Sequence, residues 1–385
     1  MMERRNFLKT VSLLGIGFAA NSVSDAVLLF ANKGGKKPLI EEPKEKDVSN
    51  VFFTADTSPD GLLKIYEYIK HKTQGKVAVK VHFGEDGNKY YLKPSLMKKL
   101  VTQLKGSFIE TNVLYVGPRR YTNSHIELAK SHGFDYAPID IIDDAGDVIY
   151  PFKGKHCKEI RIGKNIQNYQ TILLLTHFKG HGSAGFGGAI KNASMGLASV
   201  HGKMAMHASD IPNVNARKCI KCRICIDECP AKAISISPLK IDKAKCIGCA
   251  KCIGVCPEKA FLIPWGSTEN SAFMERLAEY AKGVADNNNL IYINVLIDIT
   301  RQCDCMSNTG RPFVPNIGIL ASSDMVAIDK ASNDLVAKAH KCDDAFLKEN
   351  AVSGKHQVDY ASGLGLGNKK YKLIDIDKFE KDKRG

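Results

Sequence analysis

Eight of the twelve cysteines fall into two short groups with the same spacing. In each group, three cysteines are separated by two residues, and a fourth follows after three more residues and precedes a proline. Thiolates at this spacing can bind three corners of a [4Fe-4S] cubane, while the fourth cysteine reaches across to a second cluster. The spacing therefore predicts two [4Fe-4S] clusters with crossed ligation.

Crossed ligation gives each cluster three cysteines from one group and one from the other. The first cluster is expected to bind Cys219, Cys222, Cys225 and Cys256. The second is expected to bind Cys246, Cys249, Cys252 and Cys229. Tetrahedral zinc is the alternative, although doubled runs that end in Cys-Pro are not a zinc pattern. The segment resembles a bacterial two-cluster ferredoxin, and this resemblance implies electron exchange with a redox partner protein.

A glycine-rich stretch between His181 and Lys191 could bind a ligand, because glycine lets the backbone approach an anion closely. It follows an apolar run at residues 171–178, and ligands of open α/β sheets gather at the carboxyl ends of strands. His82 ends another apolar run, at residues 76–83. We predict His82, His181 and Lys191 as catalytic residues that act on a small-molecule substrate.

Two further cysteines, Cys303 and Cys305, follow a third apolar run at residues 290–300. Two thiolates with an imidazole form a suitable zinc or iron site. We therefore predict that Cys303, Cys305 and His207 bind an additional zinc, iron or nickel ion. The alternative is a pair of buried loop cysteines. Asp324 and Asp329 are interpreted as capping residues at the start of the next helix.

Several segments resemble the iron–sulfur branch of the family called domain of unknown function 362. They cover most of residues 75–340 and comprise Lys80–Gly87, His177–Asn192, Gly202–His207, both cysteine groups, Cys303–Cys305 and Ile317–Asp329. The resemblance implies a fold family without an established reaction.

A more remote resemblance is to the nickel-pincer lactate racemases. His181, the Ala-Gly-Phe-Gly-Gly stretch and Lys191 are similar to the histidine, glycine-rich loop and lysine of those enzymes. There the lysine tethers a pyridinium cofactor, and a later histidine, which His207 resembles in spacing, ligates nickel. His82 lies where the first catalytic histidine is expected, but the residues that follow it, Phe-Gly-Glu-Asp, depart from the racemase motif.

The elements that must position these residues alternate along the chain. Strand-like runs occur at 76–83, 112–116, 171–178, 290–300 and 316–320, and helical patterns at 94–104, 123–132, 271–284 and 324–340. This alternation predicts an α/β fold with a mostly parallel sheet. Because the cysteine groups lie between these elements, we expect an inserted two-[4Fe-4S] ferredoxin-like module.

The sequence predicts five parts. They are an export signal at 1–32, a linker at 33–50, a discontinuous α/β domain at 51–212 and 264–366, the two-cluster module at 213–263 and a basic C-terminal tail at 367–385.

The start of the chain resembles a twin-arginine export signal. Arg4 and Arg5 precede Phe-Leu-Lys and a short apolar stretch at residues 11–20. The resemblance implies an exported, periplasmic or extracytoplasmic protein. The alternative is a cytoplasmic protein whose basic start belongs to an amphipathic helix.

The net charge of +14 does not indicate a nucleic-acid partner. Residues 213–262 hold ten Lys and Arg against four Asp and Glu, and two cubanes would offset most of this excess. No run reaches the ~18 apolar residues of a membrane helix, so we expect no integral membrane segment.

The leading hypothesis is a redox protein that passes electrons through two clusters to or from a metal or small-cofactor cleft in the α/β domain. The alternatives are a simple electron carrier without a second site, and an isomerase-like enzyme with accessory clusters.

Overall fold

The computed structural model describes residues 47–207 and 211–382. The chain divides into two units, residues 1–37 and 38–385, and every described residue belongs to the second unit. The predicted export signal, residues 1–32, and most of the predicted linker lie outside the described residues.

The strands and helices of the described residues alternate along much of the chain. The strands are β1 (Val48–Thr54), β2 (Val77–Lys80), β3 (Ser107–Glu110), β4 (Ile139–Ile141), β5 (Asp147–Pro151), β6 (Glu159–Gly163), β7 (Thr171–His177), β8 (Lys179–His181), β9 (Gly185–Gly187), β10 (Asn213–Val214), β11 (Ile234–Ile236), β12 (Leu239–Ile241), β13 (Phe261–Leu262), β14 (Leu290–Leu296), β15 (Gly318–Ser322) and β16 (Lys370–Asp375). The α-helices are α1 (Pro59–Tyr66), α2 (Pro94–Leu104), α3 (Thr122–Ser131), α4 (Ala189–Ser194), α5 (Val200–His207), α6 (Ile224–Asp227), α7 (Lys251–Val255), α8 (Asn270–Ala285), α9 (Met325–His340), α10 (Ala345–Asn350), α11 (Lys355–Gly363) and α12 (Ile376–Asp382). Short 3-10 helices cover Lys70–Lys72, Pro118–Arg120, Lys164–Asn168 and Ala216–Lys218.

Eight strands form the central sheet, in the order β16-β1-β15-β14-β7-β2-β3-β4. Neighbouring strands run parallel except at β15, which is antiparallel to both β1 and β14. The mostly parallel α/β fold predicted from the sequence is confirmed.

The centre of the sheet is formed by β7 and β14, and every residue of both strands is buried. Leu174 and Tyr292 belong to the core on one face, where α4, α8 and α9 pack. Leu175 and Ile293 belong to the core on the other face, where α1 and α2 pack. Helices on both faces explain why these strands are almost wholly apolar.

The prediction of a strand at residues 112–116 is wrong. The structure forms the strand earlier, as β3, and residues 112–116 leave the sheet. Leu114 packs against the cysteine segment, together with Phe261 and Ile253, and this contact explains the apolar residue at that position.

The sequence predicts a basic tail at residues 367–385, but the structure places β16 and α12 there. β16 pairs in parallel with β1, from Val48 with Lys370 to Phe53 with Asp375. Lysines on an edge strand keep it from pairing with other chains. The same lysines made the composition of this segment basic, which is why the sequence suggested a tail. The same pairing extends the α/β domain into the predicted linker, because β1 begins at Val48.

The cysteine segment lies between α5 and α8 and has its own small core. β10 pairs with β13, and β11 pairs with β12. Ala250, Ile253 and Phe261 are buried there beside Leu114 and Met204 of the α/β domain. This arrangement is consistent with an inserted module. No helix in the described part of the chain is long and apolar enough to cross a bilayer.

Candidate functional site

A cavity of about 550 Å³ lies at the carboxyl ends of β2, β7 and β14. The predicted cleft residues all line it: His82, His181, Lys191, His207, Cys303 and Cys305. β7 and β14 are parallel neighbours, so the loops that follow them reach the same edge of the sheet. The structure thus brings these residues together, and their chemical roles stay predictions.

Asp304 anchors the loop that carries the two cavity cysteines. Its carboxylate lies 3.0 Å from Nδ1 of His177 and 3.3 Å from Nζ of Lys179. Burial raises the pKa of Asp304, but the charges of His177 and Lys179 outweigh burial and hold the pKa below its usual range. Because Asp304 is tied to the end of β7, Cys303 and Cys305 on either side of it face the cavity.

Lys191 lies beside Cys303, with 3.6 Å between Nζ and Sγ. A hydrogen bond with Cys305 lowers the pKa of the Cys303 thiol, and the charge of Lys191 lowers it further against the effect of burial. The same hydrogen bond and burial raise the pKa of Cys305. The site therefore favours a thiolate at Cys303, a thiol at Cys305 and an ammonium at Lys191.

The helix that carries Lys191 is capped by Asp329 of α9. The Asp329 carboxylate accepts hydrogen bonds from the first two amides of α4, at 2.6 Å and 2.9 Å. The expectation that Asp329 caps its own helix is therefore wrong. The expectation of a capping role is confirmed for Asp324, whose carboxylate accepts a hydrogen bond from the amide of Ala327 at 2.9 Å.

Three charged residues that sequence reasoning did not select form a buried cluster on the cavity wall. Glu110 Oε1 lies 3.2 Å from Lys80 Nζ and 3.2 Å from Arg119 Nη2. Burial raises the pKa of Glu110, but the two cations outweigh it and lower the pKa to about 2. Burial lowers the pKa of Lys80 to about 8. The sequence pattern could have indicated Lys80 and Glu110, because each is a charged residue at the end of a buried strand.

The imidazole of His82 is contacted at both ring nitrogens. The Gly84 amide donates to Nδ1 at 3.0 Å, and Arg119 Nη1 lies 2.9 Å from Nε2. Burial and the charge of Arg119 lower the pKa of His82 well below its usual range. The catalytic role of His82 stays a prediction.

His181 and His207 both stack on Phe273, with ring centroids 5.9 Å and 4.9 Å from it. Burial lowers the pKa of both rings, that of His207 to about 3. In the described part of the chain, no three His, Cys, Asp or Glu side chains converge so that they could hold one metal ion. The additional metal at Cys303, Cys305 and His207 stays a prediction.

The cavity wall is strongly cationic. Its charged side chains are Lys80, Lys179, Lys191, Lys203 and Arg119, with Glu110 as the carboxylate. Lys203 is buried, and its ammonium donates to the carbonyl of Ala198 at 2.6 Å and to the Thr111 hydroxyl. Both of these acceptors are neutral, and the charges of Asp143 and Glu110 offset that of Lys203 only in part, because its pKa remains lowered to about 8 by burial. An anion in the cavity would therefore stabilise the Lys203 ammonium.

Two small cavities group the cysteines of the inserted segment. One is lined by Cys219, Cys222, Cys225 and Cys256, and the other by Cys229, Cys246, Cys249 and Cys252. This is the crossed grouping expected from the spacing. In a cubane each thiolate binds a different iron, so four thiols around a shared volume suit a cluster better than a single ion. The clusters themselves stay a prediction.

Helix α5 connects the second cysteine set to the central cavity. Hydrogen bonding to Asp147 and Cys249 raises the pKa of its residue His201 to about 9, and His201 Nδ1 lies 2.6 Å from the Asp147 carboxylate. Lys203 and His207 of the same helix line the central cavity. A cluster at the second set would therefore lie next to the cavity wall.

A family model described as "Domain of unknown function (DUF362)" matches residues 77–334, more than half of the chain. Among solved structures, the lactate racemase apoprotein from Thermoanaerobacterium thermosaccharolyticum is 13% identical, with a TM-score of 0.39 over 78% of this chain and 61% of that chain. A protein from Thermotoga maritima is 9% identical, with a TM-score of 0.36 over 79% of this chain and 58% of that chain. The present chain thus spans about three-fifths of the length of these structures. No curated protein sequence matches it.

Proposed function

This chain belongs to the DUF362 family, and we propose that it is an iron–sulfur oxidoreductase. Electrons would pass between two [4Fe-4S] clusters and a small anionic molecule in the central cavity. The observation that carries the proposal is the crossed grouping of eight cysteines around two small cavities, one of which helix α5 connects to the central cavity. Four thiolates complete the ligands of a cubane, so such a cluster supplies electron transfer and offers no iron site for substrate.

The residues of the central cavity bind and orient the anion in this proposal. Lys203 and Lys191 place two ammonium groups on its wall. His201 supports electron exchange, because it hydrogen-bonds to Cys249 on one side and α5 reaches the cavity on the other. The adjacency of the second cysteine set to the cavity favours this function over a simple electron carrier.

Anaerobic purification with iron and sulfide analysis tests the clusters. We expect eight iron and eight sulfide per chain, which is two cubanes. Cys229→Ser should disturb the cluster at Cys246, Cys249 and Cys252, and leave the other cluster assembled. Cys342→Ser, outside both sets, is the matched control. Two zinc ions per chain, or loss of the first cluster alone in Cys229→Ser, would contradict the proposal.

A further inference from the structure

We propose that Cys303 and Cys305 form a redox-active dithiol that reduces a small anionic disulfide in the central cavity. This inference rests on the proposed function, because the two clusters supply the electrons that regenerate the dithiol.

The loop geometry presents both sulfurs to the same space. The amide of Met306 donates to the carbonyl of Cys303 at 2.9 Å, which closes a tight turn. The carbonyl of Asp304 accepts from the amide of Glu85 at 3.0 Å, and its carboxylate is tied to His177. With Asp304 fixed away from the cavity, its two cysteine neighbours both line the cavity.

The two cysteines have different surroundings. The ammonium of Lys191 lies 3.6 Å from the sulfur of Cys303, and a cation at this distance stabilises the thiolate that acts as nucleophile. Cys303 is therefore the attacking residue. Cys305, the second cysteine of the same turn and of the same cavity wall, is the resolving residue.

The reaction balances as two exchanges and one reduction. The Cys303 thiolate attacks one sulfur of the substrate, the substrate S–S bond breaks, and the first thiolate leaves and takes a proton from solvent. Cys305 then attacks the mixed disulfide, and its proton passes to the second leaving thiolate. Two electrons and one proton from solvent then restore the thiolate and the thiol from the Cys303–Cys305 disulfide. The two clusters, when bound, would supply one electron each. An external one-electron donor protein reduces the clusters again.

The Cys-x-Cys spacing suits this cycle. A disulfide across one intervening residue closes a small ring and departs from relaxed disulfide geometry. Strained disulfides are more oxidising and therefore easier to reduce. The pair is thus expected to rest as the dithiol and to be oxidised only by substrate.

The cavity defines the class of substrate. Its volume of about 550 Å³ suits a small molecule. Three of the five cations on its wall are paired with carboxylates, Lys80 and Arg119 with Glu110 and Lys179 with Asp304. The charges of the other two, Lys191 and Lys203, favour a disulfide that carries carboxylates.

The test uses the anaerobically purified full chain and two probes of opposite charge. Dithiobis(nitrobenzoate) is a dianionic disulfide that releases a coloured thiolate, and cystamine is a dicationic disulfide. Wild-type protein should release two thiolates per chain, and peptide mapping should find a Cys303–Cys305 disulfide. Cys305→Ser should release one thiolate and keep a mixed disulfide on Cys303. Lys191→Met should slow the reaction about tenfold, and cystamine should react more slowly than the anionic probe.

A control variant and two contrary results complete the test of the dithiol. Cys342→Ser should react like the wild type. An unmodified Cys303 in Cys305→Ser with full iron content would overturn the dithiol, as would a zinc, iron or nickel ion bound at the pair that blocks both thiols. The exchange steps need no cluster and should proceed with or without cluster iron. Working exchange in native protein that contains no cluster iron would therefore contradict the proposed function and leave the dithiol standing.

Discussion

Replacing Glu110 by Gln removes the carboxylate from the centre of the buried cluster on the cavity wall. Lys80, Glu110 and Arg119 are 1%, 2% and 2% exposed. The substitution keeps the shape of the side chain and leaves the Lys80 ammonium and the Arg119 guanidinium without their shared carboxylate. Arg119 retains Glu85, with 3.5 Å between Nη1 and Oε2.

The loss of stability in Glu110→Gln can be calculated from the pKa shift and from the cost of breaking a buried ion pair. The pKa of Glu110 falls from 4.5 to about 2 in the folded protein, and a shift of that size corresponds to about 3 kcal/mol at neutral pH. Removing one partner of a buried ion pair costs about 3–5 kcal/mol. We therefore expect Glu110→Gln to lower the free energy of unfolding by about 3–5 kcal/mol and the melting temperature by about 5–15 °C.

The pH dependence follows from the same shift. Because the folded pKa of Glu110 lies below its unfolded value, its stabilisation is present above about pH 4.5 and is lost as the pH falls towards 2. The variant should lack this part of the acid dependence.

Thermal and urea unfolding of the anaerobic protein, followed by circular dichroism, measures the difference. Glu127→Gln on the exposed face of α3 is the control and should change the free energy of unfolding by less than about 0.5 kcal/mol. A Glu110→Gln protein within about 1 kcal/mol of wild type at pH 7 would refute the reasoning.

Three other predictions concern the cluster, the cavity and export. His201→Ala should lower the reduction potential of the second cluster at unchanged iron content, because hydrogen bonds to cluster sulfur raise the potential. A redox titration followed by electron paramagnetic resonance checks this prediction, and an unchanged potential refutes it. Trp265 is the single tryptophan and lines the cavity, so its fluorescence should change on titration with a dicarboxylate and stay constant with a matched diamine. Arg4→Lys with Arg5→Lys should retain the protein in the cytoplasm, as cell fractionation would show, and normal export of this variant would refute the signal.

The sequence was sufficient for the parts of the fold that depend on local pattern. The apolar runs at 171–178 and 290–300 placed β7 and β14 at the centre of the sheet, because only strands covered on both faces are apolar throughout. Their parallel pairing then brought His181 and Cys303 to one cavity.

The parts that were missed depend on contacts between distant residues. Asp329 caps a helix 140 residues earlier in the chain, and its own helix start offered a simpler interpretation. Lys80 and Glu110 meet because β2 and β3 are neighbours, and no local pattern shows which strands pair. Leu114 has the apolarity of a strand residue but packs against the inserted segment.

The pairing of β1 with β16 has a consequence for the timing of folding. Val48 pairs with Lys370, so more than 300 residues of synthesis separate the two strands. At about 5–20 residues per second, this interval is on the order of 15–60 s. One edge of β1 therefore stays open until β16 leaves the ribosome. The cysteine segment, with its β11–β12 hairpin, is synthesised well before that moment, whereas pairing of β1 with β16 must wait for it. Shortening the chain before Lys370 would leave that edge open permanently, and an open strand edge is a site of aggregation.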